Sequence, residues 1–276
     1  MKMLKNLKAI ILDLDGTLLN PQLSISEDTK NTLIQLRKRG VLIIIASGRT
    51  PQTAIPMTKD LNINVPMVLA NGALIFDPKT EQIIDTISIS ENTVSYLIDL
   101  SKQLSKSLNI YTPNNIYLED DKIKPYMIES GDSGSNLLPH SKFNLSEEKV
   151  LKCEFFGKGE GINKDLIKLL KEKSMILEDE LYITSAHINY LEILNKQVNK
   201  YSGIINVLNR LGLKDSEVLA FGDSHNDLEM LDKLPNSVAM GNAGDNVKKV
   251  AKYVTKLNSE DGIAYFIKNN TDLIND

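Results

Sequence analysis

Asp13 and Asp15 stand two residues apart at the end of the apolar run 7–14. In an extended chain such residues project to the same side. Two carboxylates held there repel unless a cation or a shared proton compensates. A bare D-x-D reads equally well as a solvated turn. The fuller string Asp13-Leu14-Asp15-Gly16-Thr17 is more specific, because a buried run precedes it and a glycine break follows. A second acidic string, Gly222-Asp223-Ser224-His225-Asn226-Asp227, follows the apolar run 218–221. It puts Asp223 at a strand end and Asp227 one helical turn later. Carboxylate oxygens suit a hard ion such as Mg²⁺. The competing reading is a helix start capped by Asp223 or Ser224. Between these strings lies Ala46-Ser47-Gly48-Arg49. A serine hydroxyl and free backbone N–H groups beside a glycine turn can bind an oxyanion, although an ordinary strand-to-helix turn also explains them. Lys200 opens a predicted helix, and an isolated lysine is ordinarily surface charge.

The elements that must position these residues follow from hydrophobic periodicity. Segments 7–14, 41–46 and 66–69 are short continuous apolar runs, as in strands buried on both faces. Between them fall a helix over 28–39, stopped at Gly40, and a helix entered through Thr50-Pro51. Ser24 and Glu27 have capping-box spacing, with Ser26 as a rival cap. Asn71-Gly72 marks a turn. This alternation predicts a doubly wound, mostly parallel α/β sheet, a Rossmann-like core. Its ligands bind outside the carboxyl ends of the strands, where all the strings above sit. The middle is more polar, with a helix over 90–104, a strand over 150–156 and a helix over 163–173. The α/β pattern returns with a strand at 190–194, a helix at 200–211 and strands at 218–221, 238–240 and 253–255. The simplest organisation is a core of residues 1–84 and 188–276, split by an inserted α+β domain, 85–187.

Composition narrows the function. The chain has 276 residues, and 42% are hydrophobic, enough to bury a core in two domains. Its formal net charge of -4 argues against a nucleic-acid binder. The lone Cys153 excludes an intramolecular disulfide and a cysteine zinc site, and reads as a small buried hydrophobe. His140, His187 and His225 lack the spacing of a helical metal motif. No apolar run approaches a bilayer span. Asp13 and Asp15 interrupt the first run too early for a signal peptide, so a cytoplasmic protein is expected. Gly157-Lys158-Gly159-Glu160-Gly161 matches neither the dinucleotide nor the P-loop fingerprint and reads as a loop.

Taken together, the strings resemble the haloacid dehalogenase superfamily, and its Cof-type phosphatase branch in particular. Asp13 to Leu19 matches the first family motif and Ser47-Gly48-Arg49 the second. Lys200 falls at the third, and Gly222 to Asp227 with Met230 matches the fourth. Ala239-Met240-Gly241-Asn242-Ala243 and Asp261-Gly262 also read like this branch. Four motifs in family order are far more specific than any one. The resemblance implies a Mg²⁺-dependent phosphatase acting on small phosphorylated metabolites, sugar phosphates first and pyridoxal phosphate-like compounds next. It implies Asp13 as nucleophile and Asp15 as general acid and base. Asp13, Asp15 (through its carbonyl) and Asp223 would hold the metal. Ser47, Lys200, Asn226 and the backbone N–H groups of Leu14 and Gly48 would bind phosphate, Asp227 would orient Lys200 or a metal-bound water, and Arg49 would touch substrate. The insertion would be a cap that selects the leaving group, with His140, His187, Tyr111 and Tyr117 as candidate contacts. Tyr201, where glycine is common, could narrow the site, and His225 fills a variable position. A phosphomutase or phosphotransferase on the same scaffold, or a non-catalytic metabolite-binding regulator, are the alternatives. Oligomeric state is not legible.

Overall fold

The apolar run that ends in the first aspartates folds as β1, Ala9–Leu12, and all four residues are fully buried. The structure, a computed structural model, describes residues 4–129, 131, 134–156, 164–174, 181–184 and 190–273. After β1 the chain forms α1, Glu27–Lys38, β2, Leu42–Ile45, and α2, Pro51–Thr58. Then come β3, Met67–Leu69, β4, Leu74–Asp77, and β5, Gln82–Thr86. A second group follows: α3, Glu91–Leu104, β6, Ser107–Tyr111, β7, Ile116–Leu118, α4, Lys124–Glu129, and β8, Leu137–Pro139. It continues through β9, Lys152–Phe156, α5, Lys164–Ser174, β10, Leu181–Thr184, and β11, Tyr190–Asn195. The last group is α6, Lys200–Leu211, β12, Val218–Gly222, α7, Leu228–Lys233, β13, Ser237–Ala239, α8, Asp245–Val250, β14, Tyr253–Val254, and α9, Gly262–Asn270.

The central sheet has the order β14-β13-β12-β1-β2, and every pairing is parallel. Strands of this kind are covered on both faces, which is why their sequences read as unbroken apolar runs. β3 continues this sheet through a parallel bridge between Ala46 and Val68, then turns back into the antiparallel β3-β4-β5. The second large sheet has the order β10-β11-β9-β6-β7-β8 and is antiparallel except for β7 with β8. It has its own apolar core, where Val94 and Leu97 of α3 meet Leu108, Cys153, Phe155 and Ile193.

Three local expectations change. Ser26, not Ser24, caps α1: its Oγ accepts from the Thr29 N–H at 3.3 Å. Ser24 turns instead to Asn20 Oδ1, closing the preceding turn. Residues 190–194, expected in the core, form β11 and pair antiparallel with β9 and β10. Their alternation is the reason: Leu191 and Ile193 enter the second core while Glu192 faces the other way. β5 also straddles residue 84. We therefore propose that the inserted unit runs from 87 to 195. His187 and the string 157–161 lie outside the described residues.

Cys153 is fully buried, and burial pushes its thiol far above its ordinary range. The thiolate is the reactive form. A thiol reagent should therefore modify the native protein at least ~10-fold more slowly than the unfolded chain. Equal rates would contradict this packing.

Candidate active site

Three strand ends meet at Asp13. Its N–H donates to the Phe221 carbonyl at 3.2 Å, and the Ala46 N–H donates to the Leu12 carbonyl at 2.9 Å. β1, β12 and β2 thus end at one edge. Behind Asp13 the chain turns sharply. Leu14 is buried, and its carbonyl accepts from Thr17 and Leu19. Gly16 has φ +77°, and a Cβ there would fall inside the Asp223 carboxylate, so only glycine fits. Thr17 Oγ1 donates to Asp223 Oδ1 at 2.7 Å, tying the first acidic string to the second.

Lys200 is the first residue of α6. Asn199 caps the helix by a reciprocal pair of hydrogen bonds with Ser202. That geometry aims Lys200 inward, where it has no solvent exposure at all. Its Nζ donates to Asp13 Oδ1 at 2.6 Å and to Asp227 Oδ1 at 2.7 Å. Asp227 Oδ2 accepts from the N–H groups of Asp223 and Ser224 at 2.9 and 3.0 Å. Asp227 is thereby occupied in orienting Lys200 and closing the turn. Burial alone would disfavour the ammonium, but Asp13 and Asp227 outweigh it and hold the Lys200 pKa above its ordinary value. Asp13 is pushed well above the usual carboxylate range, first by burial and then by Asp227, against the pull of Lys200. Asp223 is pushed up to about 6 by burial and by Asp227. Asp13, Asp223 and Asp227 each offer an oxygen, all within 4.8 Å of one another. An all-carboxylate set fits a hard divalent cation, which would relieve the same crowding that a proton relieves.

Asp15 is gripped by a fork. Arg49 Nε donates to its Oδ2 at 2.7 Å and Nη2 to its Oδ1 at 2.6 Å. Arg49 is only 9% exposed. Expected to touch substrate, it is engaged here with Asp15. Ser47 is buried, and its Oγ accepts from the Arg49 N–H at 3.2 Å. Asn226 is buried beside Gly48, both against Asn71.

Asn71 and Asn242 were not expected in the site. Asn71 is fully buried with φ 56°, a left-handed conformation that asparagine tolerates. Its N–H donates to the Ser47 carbonyl at 3.0 Å, and its Oδ1 accepts from Asn226 at 2.9 Å. Asn242 Nδ2 donates to the Gly16 carbonyl at 2.8 Å and to Asp223 Oδ2 at 3.3 Å. The only sequence signals were an Asn-Gly turn and a Gly-Asn pair after a late strand. Tyr201 lies half-buried under Lys233, 5.0 Å from its ring, on the α7 side of the helix. His225 reaches the second sheet, with Nδ1 3.3 Å from Thr184 Oγ1. Of the candidate cap contacts, Tyr117 donates to Glu148 and packs on Phe143, and Tyr111 donates to Glu154. His140 is half-buried, and burial lowers its pKa.

A sequence model of haloacid dehalogenase-like hydrolases matches residues 10–267. The chain belongs to that family. Among similar proteins, the Bacillus subtilis 5-amino-6-(5-phospho-D-ribitylamino)uracil phosphatase YitU is 30% identical over 267 residues, 94% of this chain and 96% of its own. The B. subtilis phosphatase YcsE, named for the same compound, is 27% identical, covering 95% of each chain. A haloacid dehalogenase-like hydrolase from Bacteroides thetaiotaomicron superposes with TM-score 0.80 at 28% identity, over 95% of this chain and 98% of the other. The subclass IIB sugar phosphatase BT4131 superposes with TM-score 0.81 at 25% identity, with the same coverage. This family member is a phosphoric monoester hydrolase of the Cof type, acting on small phosphorylated metabolites. Among the described residues no helix is long and apolar enough to cross a membrane.

The acid cluster makes a pH-dependent prediction. A carboxyl whose native pKa is raised binds its proton more tightly folded than unfolded. Its contribution to stability therefore falls as pH rises from about 4 through the native value, about 6 for Asp223. A divalent cation opposes the same repulsion. Millimolar Mg²⁺ or Mn²⁺ should raise Tm by several degrees at pH 7.5 and by much less at pH 5 (roughly ΔΔG of 1–3 kcal/mol against a fraction of that). Equal shifts at both pH values, or none, would contradict the cluster's role.

Proposed function

We propose that the protein is a Mg²⁺-dependent phosphatase of sugar phosphates and related polyol phosphates, working through an aspartyl-phosphate on Asp13. Pyridoxal phosphate-like compounds are the next class. The observation that carries this reading is Asp13 itself: a buried carboxylate at the carboxyl end of β1, held by Lys200 at 2.6 Å, with Asp15 fixed beside it. The relatives named for a phosphoribitylamino compound and the sugar-phosphatase neighbour support a hydroxyl-bearing leaving group. Asp13, the carbonyl of Asp15 and Asp223 are the groups we assign to the cation. When bound, a divalent cation offsets the repulsion between an anionic nucleophile and an anionic ester.

The chain's own groups do the rest. One Asp13 oxygen attacks phosphorus as the ester P–O bond breaks. Asp15 enters this step protonated, with one oxygen released from the Arg49 fork, and gives that proton to the leaving alkoxide. Asp15 then accepts a proton from the water that attacks the aspartyl-phosphate, releasing orthophosphate and restoring both carboxyls. Lys200, Ser47, Asn226 and the Leu14 and Gly48 N–H groups face the phosphoryl oxygens. Losing one such donor typically lowers the rate by about 10²–10³-fold. Lys200 also keeps Asp13 aimed, and Arg49 keeps Asp15 aimed.

Two variants test this. Asp13→Asn should lower phosphate release by at least about 10³-fold while circular dichroism still shows the native fold, even if Tm falls with the loss of one Lys200 partner. Near-wild-type turnover by the pure, folded variant would overturn the mechanism. Isomeric sugar phosphate in place of free orthophosphate would make the protein a mutase instead. Arg49→Lys keeps the charge but loses the two-pronged grip on Asp15. Its kcat should fall by about 10–100-fold with a smaller change in KM. An effect confined to KM would return Arg49 to substrate binding.

A further inference from the structure

The second sheet carries a buried polar face. Asn109 on β6, Lys152 and Glu154 on β9, and Glu192 on β11 are all more than nine-tenths buried. They are register neighbours: Glu154 lies opposite both Asn109 and Glu192. Lys152 Nζ pairs with Glu192 Oε1 and lies 3.6 Å from Glu154 Oε2. Tyr111 donates to Glu154 at 3.0 Å and lies beneath the Lys152 ammonium. Ionised groups this far from water persist only when paired and hydrogen bonded.

Glu192 does more than pair with Lys152. Its Oε2 accepts from Asn71 Nδ2 at 3.0 Å. Asn71 follows β3 and belongs to the other side of the molecule. Its Oδ1 in turn accepts from Asn226 Nδ2 at 2.9 Å, and its N–H holds the Ser47 carbonyl. A carboxylate can only accept, so it forces the donor end of the Asn71 amide toward the second sheet. The acceptor end must then face Asn226. One continuous line of hydrogen bonds runs from Lys152 through Glu192 and Asn71 to Asn226. Glu192 is not the sole link between the sheets. Tyr182 donates to Glu229 at 2.9 Å, and Thr184 meets His225, at the edge of the same sheet.

We propose that Glu192 is a positioning residue. It sets the Asn71 amide and, through its Oδ1, the Asn226 amide that faces the phosphoryl oxygens. The phosphate site is then complete only when the inserted sheet is docked. This inference rests on the phosphatase reading above. It deepens that reading by making the inserted unit part of the phosphate site, whatever the leaving group.

The test compares wild type, Glu192→Gln and Glu192→Leu on p-nitrophenyl phosphate, a hexose phosphate and pyridoxal phosphate. Gln keeps an acceptor for Asn71, and Leu removes it. Glu192→Leu should lower kcat by at least about tenfold on every ester, with KM within about twofold. Glu192→Gln should recover most of that loss. A loss confined to one ester and expressed in KM would overturn the inference and make Glu192 a leaving-group contact. Equal behaviour of the two variants would also overturn it. Should Glu192→Leu fail to fold, Asn71→Asp decides, because it sets a second carboxylate against Glu192. Adding Glu192→Gln to it supplies an amide donor and should restore kcat at least about tenfold; no recovery overturns the inference. Wild-type protein that releases phosphate from none of the esters would refute the phosphatase reading itself. Orthophosphate affinity by calorimetry would then read the positioning: about tenfold weaker in Glu192→Leu supports it, and equal affinity overturns it.

Discussion

One buried ammonium organises this molecule. Lys200 is wholly removed from water, and among the described residues its charge is met by Asp13 and Asp227 within hydrogen-bond distance. Breaking such a pair by removing one partner typically costs about 3–5 kcal/mol, because the other is left buried and uncompensated. The three residues therefore constrain one another across the core. Lys200 needs the Asn199 cap to start its helix at the right depth. Asp227 needs the backbone N–H groups of Asp223 and Ser224. Asp13 needs β1 to end level with β12, which the parallel register between Leu12 and Phe221 secures. The sheet, the helix start and the turn after β12 are thus arranged around a single charge.

That arrangement leaves a surplus of acid. Asp223 joins the cluster through Thr17 and Asn242, and nothing within the cluster fully balances it. The raised affinities of Asp13 and Asp223 for protons express the imbalance. The same surplus suits a divalent cation, and the proposed mechanism uses one to admit an anionic ester. The net charge of -4 disfavours nucleic acid, yet says little about phosphate, because a few acids at the strand ends decide that chemistry.

The parts of the site that were legible in sequence share a physical reason. Strands buried on both faces write unbroken apolar runs, so the ends of β1, β2 and β12 could be located, and with them Asp13, Ser47 and Asp223. Lys200 was legible only through family resemblance, since nothing in its neighbours reports that its side chain turns inward. Asn71 could be read as a turn but not as a site residue. Its side-chain partners Glu192 and Asn226 lie 121 and 155 residues away. Arg49 was visible as a residue near the site, but its partner was not, because a two-pronged grip depends on where Asp15 comes to rest. Residues 190–194 were grouped with the returning α/β pattern, but the alternation of Leu191, Glu192 and Ile193 belongs to a strand of the antiparallel sheet.

In the proposed mechanism Asp13 is the nucleophile that takes the phosphoryl group. Rapid acid quench of wild-type protein mixed with substrate, followed by peptide mass analysis, tests that directly. A phosphoryl group on the Asp13 carboxylate, labile to hydroxylamine and appearing before orthophosphate accumulates, is the predicted result. Label on another residue, or a full burst of orthophosphate with Asp13 never modified, would contradict the account.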